Sequence, residues 1–120
     1  MVVVKDFSDE AVDRVFRALA DATRRDIVRR TLASDLSVSD LAGDYEMSFA
    51  AVQKHVAVLE AADLVVKIPR GRERIVSANP ETIRRAGELL GHFEMLWRGR
   101  IDRLDALLAE DDGQPLSDLV

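Results

Sequence analysis

Two helix-start signals stand close together near the middle of the chain, and few folds accommodate such a pair. In Ser37-Val38-Ser39-Asp40 the serine and the acid have the spacing of a reciprocal capping box, in which each side chain accepts the other residue's backbone N–H. Leu41 and Ala42 continue the short helix that this box opens. Gly43-Asp44-Tyr45-Glu46-Met47 then reads as a turn, and Ser48 is a fresh N-cap for a helix over roughly residues 49–62. The expected product is two helices joined by a tight turn. On the second helix Val52, Val56 and Leu59 share one face, while Phe49, Ala50, Gln53, Lys54 and Ala57 share the other.

The flanking sequence supplies what this pair packs against. Ser8 caps a first helix, with Asp9 and Glu10 at its positive end, Phe7 placed to staple onto Val12, and Val12, Val15, Phe16 and Leu19 as its apolar stripe. Asp21 caps a second helix whose expected buried face is Ile27, Val28 and Leu32, with Arg24, Arg25, Arg29 and Arg30 as a solvated face. Downstream, two β-branched runs, Leu64 to Pro69 and Glu73 to Ser77, flank Arg70-Gly71-Arg72 and predict a hairpin with a basic tip. Asn79-Pro80-Glu81 opens a last helix, along which Ile83, Ala86, Leu90, Phe93, Trp97, Leu104 and Leu107 recur at near-heptad spacing. Unbroken to Glu110, that helix would be ~30 residues and ~45 Å long, more than a small core covers, so part of its stripe is expected to meet a second chain. Gly87, Gly91 and Gly99 inside it leave two readings open, close approach of another helix or a bend near Gly99.

The expected fold is therefore mainly α with a small β-hairpin wing: a single winged helix-turn-helix domain over 8–110 that includes a dimerisation helix at about 80–110, and a flexible tail over 111–120. A length of 120 residues suits one domain. The chain has no cysteine, which leaves neither a disulfide framework nor thiolate chemistry. It carries neither an export signal nor an apolar run of the ~20 residues a membrane span needs, so a cytoplasmic protein with no membrane contact is expected. A formal net charge of −5 argues by itself against a nucleic-acid partner. Its distribution argues otherwise. Residues 48–78 hold five Lys and Arg against three Asp and Glu, whereas residues 79–120 hold five Arg against nine acids.

The order of elements resembles the ArsR (arsenic-repressor-like) family of winged-helix transcription regulators, and several motifs carry the likeness. Phe16-Arg17-Ala18-Leu19-Ala20-Asp21-Ala22-Thr23-Arg24-Arg25 is similar to that family's opening signature, with Ala22 where proline is commoner. Ser37 to Ala42 and the unbroken run from Met47 to Val65 resemble its helix-turn-helix, and Arg70-Gly71-Arg72-Glu73 its wing. The resemblance covers about residues 12–108. Two departures bear on function. Metal-sensing members place a cysteine pair where Ser37 and Ser39 stand, and serine is a poor ligand for such metals, so no metal site or cofactor is expected. Asp63 stands where the family has glycine after the recognition helix, and aspartate tolerates the left-handed backbone better than most residues.

The resemblance implies a homodimeric, sequence-specific regulator of repressor character that binds double-stranded DNA at an imperfect palindrome, and no enzyme. The helix capped by Ser48 would enter the major groove. Gln53 is the expected base reader, Lys54 a phosphate contact, and Ala50 and Ala51 neighbours of thymine methyls; Phe49 would join them or pack locally. Arg70, Arg72 and Arg74 would grip backbone or minor groove from the wing. Phe16, Leu90, Phe93, Trp97, Leu104 and Leu107 are the expected dimer contacts. His55 is expected as a half-buried packing residue. His92, one turn after Glu88, is an incomplete ligand set. Two alternatives share the fold: a small-molecule or metal-responsive sensor, and a protein-interaction module.

Overall fold

A capping box and four further helix starts organise the chain, and residues 7–110 are the ones this structure, a computed structural model, describes. The elements run α1 (Asp9–Leu19), α2 (Ala22–Ala33), β1 (Leu36–Ser37), α3 (Val38–Gly43), α4 (Phe49–Ala61), β2 (Val65–Arg70), β3 (Glu73–Ala78) and α5 (Pro80–Glu110). The caps expected for the first four helices are in place. Ser8 accepts the N–H of Ala11, Asp21 that of Arg24 and Ser48 that of Ala51, while Ser37 and Asp40 complete the reciprocal box. The tail expected over 111–120 lies outside the described residues.

The chain divides into two compact units, one ending at Ala86 and the other starting at Gly87. In the first, Val15 and Ala18 of α1, Ile27 and Val28 of α2, Val38 and Leu41 of α3, and Val52, Val56 and Leu59 of α4 close around one core. Leu64, Val65 and Val76 extend it onto the sheet, and Ala86 completes it. In the second unit α5 continues to Glu110, with Leu90, Phe93, Leu96, Trp97, Leu104 and Leu107 exposed along it.

Three details differ from the expectation. The hairpin is part of a three-stranded antiparallel sheet in the order β1-β3-β2, because Leu36 and Ser37 pair with Val76 and Ile75. Two residues are too short a run for alternation to announce a strand. On α2 the buried position after Val28 is Thr31, at 3% exposure, and Leu32 is 50% exposed. The Thr31 hydroxyl donates to the carbonyls of Ile27 and Val28, so the helix itself satisfies this buried polar group. Arg24 and Arg30 are not a solvated face. Arg24 donates to the carbonyls of Ala18 (2.7 Å) and Arg17 (3.2 Å) and has Nη1 3.2 Å from His55 Nδ1, which fastens α1, α2 and α4 to one another.

Arg30 belongs to a second fastening, at the turn between α3 and α4. It donates to Asp44 at 2.5 Å and lies over the Tyr45 ring, while the Tyr45 hydroxyl donates to Asp26 at 2.5 Å. The Tyr45 and Arg29 hydrogen bonds hold the Asp26 carboxyl below its ordinary value, and burial, with Asp26 alongside, pushes the Tyr45 phenol up. Two residues of the turn are thereby tied to α2.

The end of α4 needs a left-handed residue. Leu64 N–H donates to Leu59 at 2.9 Å and Asp63 N–H to Glu60 at 3.0 Å, the paired bonds of a Schellman ending, and Asp63 takes φ 60°. Leu64 and Leu59 are both fully buried, the apolar contact that accompanies this ending. The chain then turns directly into β2.

Two measurements check this frame. Asp63→Val should lower stability by about 1–2 kcal/mol, because a β-branched residue is costly in the left-handed region, whereas Asp63→Gly should be neutral or stabilising. Thermal unfolding at fixed protein concentration reads the order; a valine variant as stable as the parent would contradict the ending described. Asp26 has a lowered folded pKa, so its contribution is present above its unfolded value near 4 and is lost as pH falls through the folded value. Tyr45→Phe should therefore cost stability at pH 7 and progressively less towards pH 2–3, a convergence visible in paired melting curves.

Candidate nucleic-acid interface

Burial of the inner stripe of α4 decides which side chains face out. Val52 and Leu59 are fully buried and Val56 nearly so, so the opposite face must be solvent-facing. Phe49, Ala50, Gln53, Lys54 and Ala57 all lie exposed there, and Ala51 is half-buried at its edge. Phe49 has 48% of its surface exposed, which places the ring outward at the first turn rather than in the core. Ser48 precedes it as the cap, its hydroxyl 3.1 Å from Ala51 N. This first turn also presents free backbone N–H groups and the positive end of the helix dipole.

The wing stands beside this helix. β2 and β3 pair from Val65↔Ala78 to Arg70↔Glu73, leaving Gly71 and Arg72 as a two-residue turn. Gly71 has φ +61°, which the first central position of a tight hairpin turn of this hand requires. The sequence grouped Arg70, Arg72 and Arg74 as one basic tip, and all three are exposed. The pleat separates them. Partners across an antiparallel pair share a face, so Arg70 and Glu73 lie on one face of the hairpin and Pro69 and Arg74 on the other. The second face is the one that carries Val65 and Val76 into the core.

On that inner face Lys67 sits between Val65 and Pro69, opposite Val76. Its ammonium lies 3.4 Å from a Glu60 carboxylate oxygen on α4. Val38, Gln53, Val56, Lys67 and Arg74 line a cleft of about 210 Å³ between α4 and the wing. Lys67 is absent from the sequence-based set, although strict alternation from buried Val65 places it on this side. His55, next to Lys54, is half-buried against Arg24, in keeping with its expected packing role.

The other expected sites are distributed differently. Ser37 is buried, and its hydroxyl accepts Asp40 N–H at 2.9 Å while Asp40 accepts Ser37 N–H at 3.3 Å. Among the described residues no three His, Asp or Glu side chains gather to hold a metal ion, and no helix is long and apolar enough to cross a membrane. Phe16 is half-buried against the core of the first unit. Leu90, Phe93, Trp97, Leu104 and Leu107 are exposed on α5, with Ile101 between them on the same helical face. A Cβ added at Gly87 or Gly91 would meet nothing within 4 Å, so no contact within the chain requires glycine there.

No protein-family model matches the chain. A stretch of 68 residues is 44% identical to an HTH-type transcriptional regulator of Mycobacterium tuberculosis; it covers 57% of this chain and 64% of that protein, so the match spans less than two thirds of the relative's length. An ArsR-like transcriptional regulator from Rhodococcus sp. RHA1 superposes with a TM-score of 0.73 at 28% identity, over 82% of this chain and 92% of that one. The crystal structure of a possible transcriptional regulator for arsenical resistance does so with a TM-score of 0.60 at 30% identity, over 75% and 91%. With its box-capped α3, outward-facing α4 and three-stranded wing, the chain belongs to the ArsR-type family of winged helix-turn-helix transcription regulators.

Proposed function

We propose that the protein is a homodimeric, sequence-specific DNA-binding regulator of repressor type. The observation that carries this is the outer face of α4: exposed, and small and polar apart from Phe49, on a helix capped at its start and anchored along its back, beside a wing with three exposed arginines. The related proteins' description as transcriptional regulators supports it. Ser48, Phe49, Ala50 and Ala51 bring the first turn of α4 to the floor of the major groove. Gln53 reads a base edge, Lys54 meets phosphate, and Arg70, Arg72 and Arg74 act from the wing.

The dimer reading rests on α5. Leu90, Phe93, Trp97, Leu104 and Leu107 form an apolar stripe that is more than a third exposed at every position. Stripes of this size on a helix are covered by a partner helix in stable proteins, and the open space at Gly87 and Gly91 leaves room for close approach. Phe16, half-buried against the core of the first unit, is retained as a further dimer contact. The spent Ser37 hydroxyl supports placing the chain outside the metal-sensing branch of the family. The charge pattern and the absence of any described membrane-spanning helix suit a cytoplasmic regulator.

Fluorescence anisotropy of the intact protein on duplexes from the DNA preceding its own gene tests the DNA reading. Gln53→Ala should weaken binding by about 1–3 kcal/mol and relax preference at one base pair, and affinity should fall steeply with salt. Affinity that is flat between low and physiological salt would contradict it. Sedimentation tests the second half: Trp97→Glu should shift the protein from dimer to monomer, since removal of a central aromatic anchor costs about 2–4 kcal/mol of association. A wild-type protein that sediments as a monomer at tens of micromolar, on the order expected to populate such dimers, would contradict the dimer.

A further inference from the structure

We infer that the cleft between α4 and the wing is a seat for the DNA phosphate backbone, with Lys67 and Arg74 as its cations and Glu60 as a counter-ion that the phosphate displaces. This rests on the DNA-binding reading above, which already includes Gln53 and Arg74, and adds to it Lys67, its counter-ion Glu60 and the cleft that brings Lys67 and Arg74 together.

The register of the hairpin builds the cleft. Val65 and Val76 face the core, and two positions further from it the same face carries Lys67 and Arg74. The inner side of the sheet thus changes from apolar to cationic where it leaves the core, directly across from Gln53 and Glu60 on α4. Arg70 lies on the other face and Arg72 in the turn, so neither serves this space. The cleft, at about 210 Å³, is large beside the ~30 Å³ share of a water, and Val38 and Val56 form its apolar floor.

Duplex geometry then names the occupant. A helix in the major groove and a wing tip at the adjoining minor groove stand on either side of one sugar-phosphate ridge. That ridge has to cross the space between α4 and β2-β3, where an apolar floor and two cations meet it. Without DNA, Lys67 is partly neutralised by Glu60 at 3.4 Å, in a pair whose side chains are 30% and 43% exposed. Such a solvent-reachable pair contributes little, so a phosphate that replaces the carboxylate gives up little. Glu60 would then face the phosphate as a like charge and weaken binding. The arrangement therefore assigns opposite effects to the two members of one ion pair.

The test uses the full-length protein and two labelled duplexes of about 30 base pairs, one from the DNA preceding its own gene and one of mixed sequence, titrated between 50 and 200 mM salt, a range over which phosphate contacts change affinity strongly. Lys67→Gln and Arg74→Gln should each weaken binding to both duplexes several-fold and lower the salt slope by about one. Glu60→Gln should tighten binding about twofold or more, a gain that loss of a merely structural ion pair would not produce. Circular dichroism confirms that each variant folds. Unchanged affinity and slope in Lys67→Gln and Arg74→Gln, with the parent still binding, would overturn this inference alone, as would weaker binding in Glu60→Gln. A parent protein that binds neither duplex would overturn the DNA reading itself.

Discussion

The arrangement depends first on burying one side of α4. Val52, Val56 and Leu59 insert between α1, α2, α3 and the sheet with almost no surface left to solvent, and a helix so held cannot rotate about its axis. Everything on its opposite face is presented as a consequence. The start of α4 is set by Ser48, and its end by the left-handed Asp63, which sends the chain into β2 and keeps the wing beside the helix. Recognition face and wing are therefore positioned by a common cause.

Polar contacts supply the orientation that apolar packing leaves loose. Arg24 closes on two carbonyls at the end of α1 and on His55 of α4, so a single guanidinium holds three helices in register. Tyr45, Asp26, Arg30 and Asp44 do the same for the turn that precedes α4. Both groups are only partly buried, so they fix geometry without the large desolvation cost of a fully buried ion pair. In the second unit no such network appears among the described contacts; α5 carries surface ion pairs such as Arg98 with Glu94, and an exposed apolar stripe.

Much of this was legible in the sequence because it is local. Caps and turns act over three or four residues, and Ser8, Asp21, Ser37, Asp40 and Ser48 all do what their spacing implies. Asp63 was legible as well, since few residues other than glycine tolerate its backbone. Long-range features were not. β1 is two residues long and exists through its pairing with β3; Thr31 is buried in place of Leu32 because the phase of α2 is set by its neighbours; and Arg24 and Arg30 find partners 31 and 14 residues away. Lys67 lay between these cases. Its face follows from alternation, but its meeting with Glu60 requires the packing of β2 against α4.

The central claim is that the outer face of α4 reads base edges in the major groove, with two copies of the chain on one site. Methylation interference on the DNA preceding its own gene addresses both parts, since methyl groups at guanine N7 block the major groove alone. The account predicts interference in two related half-sites whose centres lie about one helical turn, 10–10.5 base pairs, or a multiple of it apart. A bound complex without N7 interference, or with interference confined to adenine N3 in the minor groove, would contradict it.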